Sequence, residues 1–376
     1  MIYLDNSATT KPHPEVLEAF VKVNKDFWAN PSSSHGLGSK AEMLLSRARL
    51  QVAEVLGAEA NEIIFTSGGT EGNNIAIKGI VSRYLNRGNH IITSAIEHPS
   101  VAKPFAGLQS LGFRITTLPV NEDGQISLVD LKDSMCDDTI LVSIMHVNNE
   151  IGTIAPLEEI GKIVHTYKKA FFHVDGVQGF SKVPLDLHRS HIDLYSLSGH
   201  KFHGLKGTGI LFVRAGVRLD SVIAGGGQEQ QIRGGTVNVA GAVAIAKAMR
   251  LMSEENTDEM LKLRDYFCGQ LCKIPAVILN TPVHAQAAPH IINFSIPGIN
   301  SEVFMRMLEE KEIYVSTTSA CSSKTKKISE VVKSLGKSDQ IAASAIRVSL
   351  SFETDKSELD AVLEAIRETL DKIKVL

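Results

Sequence analysis

The sequence predicts an α/β fold, with a large domain built on a mainly parallel sheet flanked by helices and a smaller α+β domain at the carboxyl end. Short apolar, β-prone segments alternate with helical patterns from residue 62 to residue 213, which is typical of strand–helix–strand units. Several of these segments end in a polar side chain, as strands at the ligand-binding edge of such a sheet do. We expect the large domain to span 13–255 and the small domain 256–376, with 1–12 packing against the small domain.

The predicted elements follow one another in short segments. A strand at Ile2 runs into a polar loop, and Pro14 suits the first turn of a helix. Apolar positions at helical spacing predict further helices at 38–56, from 75 to 85, and at 128–135, 156–169, 238–252, 258–273, 301–310 and 355–373. Apolar β-prone runs predict strands at 62–66, 90–95, 113–118, 140–147, 170–174, 192–197, 209–213, 291–296, 313–316 and 346–352.

The composition excludes several classes of protein. The chain has 376 residues, with 39 Lys and Arg against 42 Asp and Glu, and the net charge of −3 gives no reason to expect direct nucleic-acid binding. No apolar run approaches the roughly 20 residues that span a bilayer, so no membrane association is expected. The amino terminus has no basic region followed by an apolar block, and we therefore expect a cytoplasmic protein.

The four cysteines predict neither a disulfide framework nor a metal site. Cys268 and Cys272 lie four apart on a predicted helix, but no nearby His or Cys completes a set of metal ligands. Cys321 lies in a small, polar, cationic stretch, 316–327, which we expect to be mobile and exposed. Because lysines and exposure favour the thiolate, Cys321 is a candidate nucleophile. An incidental surface thiol is the alternative.

A glycine-rich turn between a strand and a helix predicts an anion site. The segment Ser67-Gly-Gly-Thr-Glu-Gly-Asn-Asn74 follows a strand, and its exposed amides and small residues would let a phosphate approach the start of the helix. Thr70 adds a hydroxyl donor. The segment matches neither the Walker loop nor the dinucleotide fingerprint, and a capped helix without a ligand is the alternative.

Polar side chains gather at the predicted carboxyl ends of the strands, the edge at which open α/β sheets bind ligands. The chain places there His98, Asn149, Asp175, Gln178 and Lys201. A lysine in a low-dielectric site is a candidate imine-forming amine, because burial favours its neutral form. A surface lysine, a structural histidine and a helix-capping carboxylate are the alternatives for single members of the set.

An amine, a carboxylate, an imidazole and a phosphate cradle are together the parts that a pyridoxal-phosphate enzyme needs. Asp175 suits the place opposite the pyridine nitrogen, Gln178 could bond the phenolic oxygen, and His98 could stack on the ring and move protons. Arg347 lies in an otherwise apolar predicted strand, where a guanidinium without a partner is unfavourable. A bound carboxylate would account for Arg347, and so would an internal ion pair.

The chain resembles the cysteine desulfurases of the class V aminotransferase group, which are fold-type I pyridoxal-phosphate enzymes, over nearly its full length. The resemblance rests on many spaced motifs in the same order, and it implies a seven-stranded sheet in the large domain. The motifs are Tyr3-Leu-Asp-Asn-Ser-Ala-Thr-Thr10, Asn30-Pro-Ser-Ser-Ser-His35, Ser67 to Asn74, Glu97-His98, His146-Val-Asn-Asn-Glu-Ile-Gly152, His173-Val-Asp-Gly-Val-Gln178, Ser198-Gly-His-Lys201, Arg233-Gly-Gly-Thr236 and Ser319-Ala-Cys-Ser322.

The resemblance implies a role for each matching residue. Lys201 would carry pyridoxal 5′-phosphate, Asp175 would face the ring nitrogen, and His98 would stack on the ring. The phenolic oxygen would lie near Gln178 and Asn149, the phosphate would bind Gly69, Thr70, Ser198 and His200, and the substrate carboxylate would bind Arg347 and Asn149. Thr236 would reach the phosphate of a second subunit, which implies a homodimer.

The reaction implied by the resemblance takes sulfur from L-cysteine. Lys201 would remove the α-proton, the Cys321 thiolate would attack the substrate sulfur, and L-alanine would leave a persulfide on Cys321. A sulfur-acceptor protein, either a tRNA-thiolation enzyme or an iron–sulfur scaffold, would then take the sulfur. The Ser-Ala-Cys-Ser motif is similar to that of the subgroup with a mobile loop, and the short carboxyl-terminal tail favours a tRNA-thiolation acceptor.

The sequence departs from the family pattern at two places. Leu205 replaces the usual proline of a Gly-Pro-Lys-Gly turn, and Thr317-Thr318 replace a common serine–glycine pair before the cysteine motif. Two other functions stay open. One is another class V reaction, such as transamination or selenocysteine cleavage, and the other is a non-catalytic binding protein with the same fold.

Overall fold

The computed structural model describes residues 1–282, 286–317 and 328–375. The strands among these residues are β1 (Ile2–Tyr3), β2 (Ile63–Thr66), β3 (His90–Ser94), β4 (Arg114–Leu118), β5 (Thr139–Ser143), β6 (Phe171–Asp175), β7 (Leu194–Ser198), β8 (Gly209–Val213), β9 (Ile278–Leu279), β10 (Ile291–Ser295), β11 (Ile313–Tyr314), β12 (Ser316–Thr317) and β13 (Ala345–Ser349). The helices are α1 (Pro14–Asp26), α2 (Gly36–Leu56), α3 (Gly69–Arg83), α4 (Pro99–Ser110), α5 (Leu128–Ser134), α6 (Leu157–His165), α7 (Val239–Ser253), α8 (Asp258–Leu271), α9 (Ser301–Glu309), α10 (Glu330–Ser334), α11 (Asp339–Ala343) and α12 (Lys356–Val375).

The large sheet has seven strands in the order β2-β8-β7-β6-β5-β3-β4. Five neighbouring strands, from β7 to β4, are parallel, whereas β8 runs antiparallel to both of its neighbours. The connection from β7 to β8, residues 199–208, is too short for a parallel crossover, which needs a dozen or more residues. The predicted mainly parallel α/β sheet is therefore confirmed.

Helices cover both faces of this sheet because its strands are apolar on both sides. Ile63 and Phe65 of β2 point into a core shared with α1, α2, α6 and α7. Ile64, which lies between them, points to the other face and packs with Ile77 of α3 and Phe105 of α4. The alternation of side chains along each strand thus builds two cores and fixes α3 and α4 beside the carboxyl edge.

A second, smaller sheet is antiparallel and has the order β12-β13-β10-β9. Its core includes residues of α8, α9 and α12. The amino terminus joins it, because β1 pairs with β11 and fully buried Leu4 belongs to this core. A domain boundary near residue 255 stays a prediction.

Some elements differ from those predicted. The apolar run 140–147 ends as a strand at Ser143, and Val147 beyond it forms an isolated bridge with Ile154. Helix α4 was not predicted, because Pro99 and Pro104 interrupt its pattern; Pro99 occupies the first turn, where its missing N–H is tolerated. The short helices α10 and α11 were also not predicted.

Candidate active site

The carboxyl ends of β7, β6, β5 and β3 lie side by side, and β2 points in the same direction. Parallel strands necessarily bring their carboxyl ends to one edge. The structure therefore assembles at this edge the predicted residues that follow these strands, namely Gly69, Thr70, His98, Asn149, Asp175, Gln178, Ser198, His200 and Lys201.

Asp175, the last residue of β6, is held by two donors. Asn73 Nδ2 donates a hydrogen bond of 2.7 Å to its Oδ2, and the Val177 backbone N–H donates one of 3.1 Å to its Oδ1. Asn73 also donates to Ser100 Oγ at 2.9 Å. Asp175 is 5% exposed, so these bonds supply partners to oxygens that would otherwise be buried without one.

His98 lies next to this cluster at the start of α4. Its Nδ1 accepts a hydrogen bond of 3.1 Å from the Ser100 backbone N–H, so Nδ1 is unprotonated, and Ser100 Oγ lies 2.7 Å away. Burial lowers the pKa of His98, while Asp175 raises it and Lys201 lowers it. Burial therefore favours the neutral ring, which interacts with the charges of Asp175 and Lys201.

The Lys201 amine and the Gln178 amide meet at one backbone carbonyl. Lys201 Nζ donates to Ser7 O at 2.5 Å and to Ala8 O at 2.9 Å, and Gln178 Nε2 donates to Ser7 O at 2.9 Å. Ser7 is itself held to the smaller sheet, since its N–H donates to Ser349 Oγ at 2.8 Å. The amino-terminal segment thus places two predicted ligands of the cofactor side by side.

The start of α3 packs tightly against the end of β7. A Cβ added to Gly69 would meet Val177 Cγ2 at 2.5 Å and Ser198 Cβ at 3.7 Å, so only glycine fits there without movement. Gly68 has a φ of +154°, a conformation that also favours glycine. Free backbone N–H groups at this helix start, with exposed Thr70 beside them, suit a phosphate.

His200 extends this polar surface. Burial, followed by the charges of Lys201 and Lys206, lowers the pKa of His200 to about 4. Its Nδ1 lies 3.2 Å from Thr9 Oγ1. A neutral imidazole can donate one N–H to a phosphate without adding a charge.

Arg347 of β13 has the internal ion pair that was one of its two predicted explanations. Nη2 donates to Asp5 Oδ1 at 2.9 Å, and Nη1 donates to the Asn149 backbone carbonyl at 2.9 Å. Nε is buried and has no hydrogen-bond partner among the described residues. That N–H leaves capacity for a carboxylate ligand on one edge of the guanidinium.

Two predicted residues lie apart from this cluster or outside the described part of the chain. Thr236 is exposed on the loop that precedes α7, as a residue that serves a second subunit would be. Cys321 lies outside the described residues. Strand β12, which pairs with β13 at Ser316 and Arg347, is the last described element before the segment that contains it.

Sequence reasoning missed Asn73, Asp5 and the Ser7 carbonyl. Asn73 could have been found, because it lies one helical turn before Ile77 on the face of α3 that packs against the sheet, and an amide on a buried apolar face needs a partner. Asp5 gives no comparable local signal, since its partner lies 342 residues away.

The residues at the sheet edge fit pyridoxal 5′-phosphate. The buried Asp175 carboxylate suits a protonated ring nitrogen, the glycine-lined start of α3 suits the phosphate, and the Lys201 amine suits the aldehyde. The buried polar atoms that have no partner among the described residues include Asn73 Oδ1 and Arg347 Nε. Unsatisfied buried atoms of this kind are common where a ligand or water completes a site.

Comparisons with known proteins identify the family of the chain. The sequence profile of the family described as aminotransferase class-V matches residues 2–362. A protein of Methanosarcina thermophila named cysteine desulfurase IscS is 43% identical over 99% of this chain and 93% of its own length. A "NifS/IcsS protein homolog" of Lactobacillus delbrueckii subsp. bulgaricus is 45% identical over 98% of this chain and 97% of its own length.

Solved structures give the same assignment. A NifS-like protein superposes with a TM-score of 0.93 at 37% identity and covers 98% of this chain and 99% of its own. The apo cysteine desulfurase of Thermococcus onnurineus has a TM-score of 0.88 at 25% identity, covering 99% of this chain and 95% of its own. This chain therefore belongs to the class V aminotransferase family, and within it to the IscS- and NifS-like cysteine desulfurases.

Proposed function

We propose that this protein converts L-cysteine to L-alanine and holds the released sulfur as a persulfide on Cys321. The observation that carries the proposal is the convergence of Lys201, Asp175 and the start of α3 at one sheet edge, in a chain that is 43% identical to a named cysteine desulfurase. Enzymes of this family depend on pyridoxal 5′-phosphate, which when bound withdraws electrons from the α-carbon of an amino acid.

The residues of the chain bind and orient the substrate and move its protons. Arg347, oriented by Asp5, receives the substrate carboxylate through its guanidinium. Lys201 Nζ takes the α-proton, and the neighbouring Ser7 and Ala8 carbonyls accept hydrogen bonds from the resulting ammonium. Burial lowers the pKa of His98, and its Nδ1 accepts the Ser100 N–H, so its Nε2–H is left to donate a hydrogen bond to the cofactor or the substrate.

Cys321 makes the reaction a sulfur transfer. Its thiolate attacks the sulfur of L-cysteine, the carbon–sulfur bond of the substrate breaks, and a sulfur–sulfur bond forms on the protein. The substrate carbon gains a proton, so that one thiol and one cysteine become one persulfide and one alanine without an external oxidant. Transfer to an acceptor thiol then restores Cys321.

The oligomeric state, acceptor and location form the rest of the proposal. We propose a homodimer in which exposed Thr236 reaches the phosphate site of the second copy. The acceptor is a protein of tRNA thiolation or of iron–sulfur assembly, and the relatives named IscS favour a protein of this kind. The described residues contain no helix long and apolar enough to cross a bilayer, and we propose a cytoplasmic location.

Replacing Cys321 tests the function and separates it from the other class V reactions. We expect Cys321→Ala to bind the cofactor with the wild-type absorption spectrum and to lose catalytic release of alanine from L-cysteine. Unchanged alanine release would contradict the desulfurase mechanism, and formation of 3-mercaptopyruvate with amino transfer to a 2-oxo acid would indicate an aminotransferase. Cys272→Ala, which removes an exposed thiol at the carboxyl end of α8, is the matched control.

Trapping the cofactor tests whether the protein is an enzyme of this type at all. We expect borohydride to bleach the bound cofactor and to leave its mass on the peptide that contains Lys201. A protein that binds no pyridoxal 5′-phosphate would instead be the non-catalytic alternative.

A further inference from the structure

A cavity of about 260 Å³ lies away from the residues assigned to the cofactor. It is bounded by the end of α2, the chain from 180 to 187 and the connection between α7 and α8, and it is partly open to solvent. Its walls combine apolar side chains, among them Leu56, Leu185 and Met252, with polar ones, and Lys182 and Glu255 contribute charged groups. The cavity thus places apolar side chains and a lysine in one wall.

Lys182 is buried without an ion pair. The residue is only 6% exposed, and its Nζ donates a hydrogen bond of 2.8 Å to Ser181 Oγ. The amine also lies 4.9 Å from the centre of the Phe352 ring. Among the described residues no carboxylate lies within ion-pairing distance of it, and a buried ammonium in that position is unfavourable.

The neighbours of Lys182 do not supply the missing charge. His203 and His290 are both buried, and each has a lowered pKa, mainly because of burial and secondly because of the Lys182 charge. Their free ring nitrogens, His203 Nε2 and His290 Nδ1, have no hydrogen-bond partner among the described residues. Glu255 raises the pKa of Lys182 but is exposed, and burial outweighs it, which brings that pKa down to about 7.

We propose that Lys182 is a second carbonyl-reactive amine, which binds small apolar aldehydes in this cavity as a reversible imine. The nitrogen lone pair attacks the carbonyl carbon, a carbon–nitrogen double bond forms, and the carbonyl oxygen leaves as water. No oxidant or reductant takes part, and hydrolysis reverses the step. Burial of the amine favours this chemistry because it favours the neutral form, and the apolar side chains of the cavity can accept an apolar tail. The site is separate from Lys201 and does not depend on the proposed function.

Reductive labelling tests the proposal on the holoenzyme, in which the cofactor occupies Lys201. The protein is treated with isobutyraldehyde and cyanoborohydride at pH 7, and each lysine peptide is quantified by mass spectrometry. We expect Lys182 to be alkylated at least about tenfold faster than exposed Lys168, because only a lysine with a lowered pKa is substantially neutral at pH 7. At pH 10 we expect a smaller difference between the labelling rates of Lys182 and Lys168. Labelling of Lys182 at or below the rate of Lys168 at pH 7 would overturn the proposal.

Two variants separate reactivity from binding in the cavity. Leu185→Trp fills the space and keeps the amine, so we expect labelling of Lys182 to fall several-fold while that of Lys168 is unchanged. Unchanged labelling of Lys182 in Leu185→Trp would show that aldehydes do not bind in the cavity and would overturn the proposed binding site. Lys182→Met, whose thermal unfolding shows whether the fold survives, loses the labelled peptide but retains the absorption of the bound cofactor.

Discussion

Asn73 donates a hydrogen bond of 2.7 Å to the Asp175 carboxylate and joins two parts of the candidate site. Asn73 belongs to α3, whose start suits the cofactor phosphate, and Asp175 ends the strand that suits the ring nitrogen. Both residues are buried, so their relative position is fixed by the packing of α3 on the sheet. The packing of α3 on the sheet therefore fixes the distance between the proposed phosphate site and the proposed partner of the ring nitrogen.

We expect Asn73→Ala to weaken cofactor binding by about tenfold, since Asp175 loses the hydrogen bond that holds its carboxyl group in position opposite the ring nitrogen. The free energy of unfolding of the apoprotein should fall by only about 1 kcal/mol, because the change also removes the unpartnered Asn73 Oδ1. Absorbance titration with pyridoxal 5′-phosphate and urea unfolding measure the two effects. Asn74→Ala, which removes a local bond to Thr70 O, is the control and should leave cofactor affinity within about twofold.

Gly69→Ala and Gly269→Ala should change stability in opposite directions. At Gly69 the added methyl meets Val177 at 2.5 Å, so α3 must shift at the phosphate end and both stability and cofactor affinity should fall, stability by about 1–3 kcal/mol. At Gly269 in α8 nothing lies within 4 Å, and alanine should stabilise the protein by about 0.5–1 kcal/mol. Urea unfolding measures both. A Gly69→Ala protein with wild-type cofactor affinity would contradict the proposed phosphate site.

A double-mutant cycle tests the Asp5–Arg347 pair. We expect Asp5→Asn and Arg347→Met to show a coupling of about 1–3 kcal/mol in the free energy of unfolding, because the guanidinium is nearly buried and the contact is a charged hydrogen bond. Asp5→Asn should also raise the KM for L-cysteine more than it lowers kcat, since Asp5 orients Arg347 without contacting the reacting atoms. If the two substitutions lower the free energy of unfolding additively, the two residues do not interact.

Stability should fall on acidification because of buried neutral histidines. Burial lowers the pKa of His173 to about 3. Between pH 6.5 and that value the unfolded chain binds a proton that the folded protein does not, so the free energy of unfolding falls by about 1.4 kcal/mol per pH unit for this residue. Between pH 7 and pH 5 the free energy of unfolding of His173→Asn should therefore fall by about 2 kcal/mol less than that of the wild type. An equal pH dependence of the free energy of unfolding in the two proteins would show that His173 titrates normally in the folded state.

Residues that follow directly from strand ends could be predicted from the sequence. Asp175 and Lys201 end or follow apolar runs whose carboxyl ends must share an edge in a parallel sheet, and both lie at that edge. The partner of Arg347 could not be predicted, because it depends on how the amino-terminal segment packs against β13. The direction of β8 follows only from the shortness of the preceding loop, and α4 was hidden by Pro104.

The most direct test of the desulfurase account is the mass of the peptide that contains Cys321 after the holoenzyme reacts with L-cysteine in the absence of an acceptor. We predict that this peptide gains the mass of one sulfur atom in step with the first equivalent of L-alanine, and that a reducing thiol removes it. Cys136 and Cys272 in the same molecule are internal controls and should gain none. Release of alanine beyond one equivalent with no sulfur on Cys321 would contradict the account.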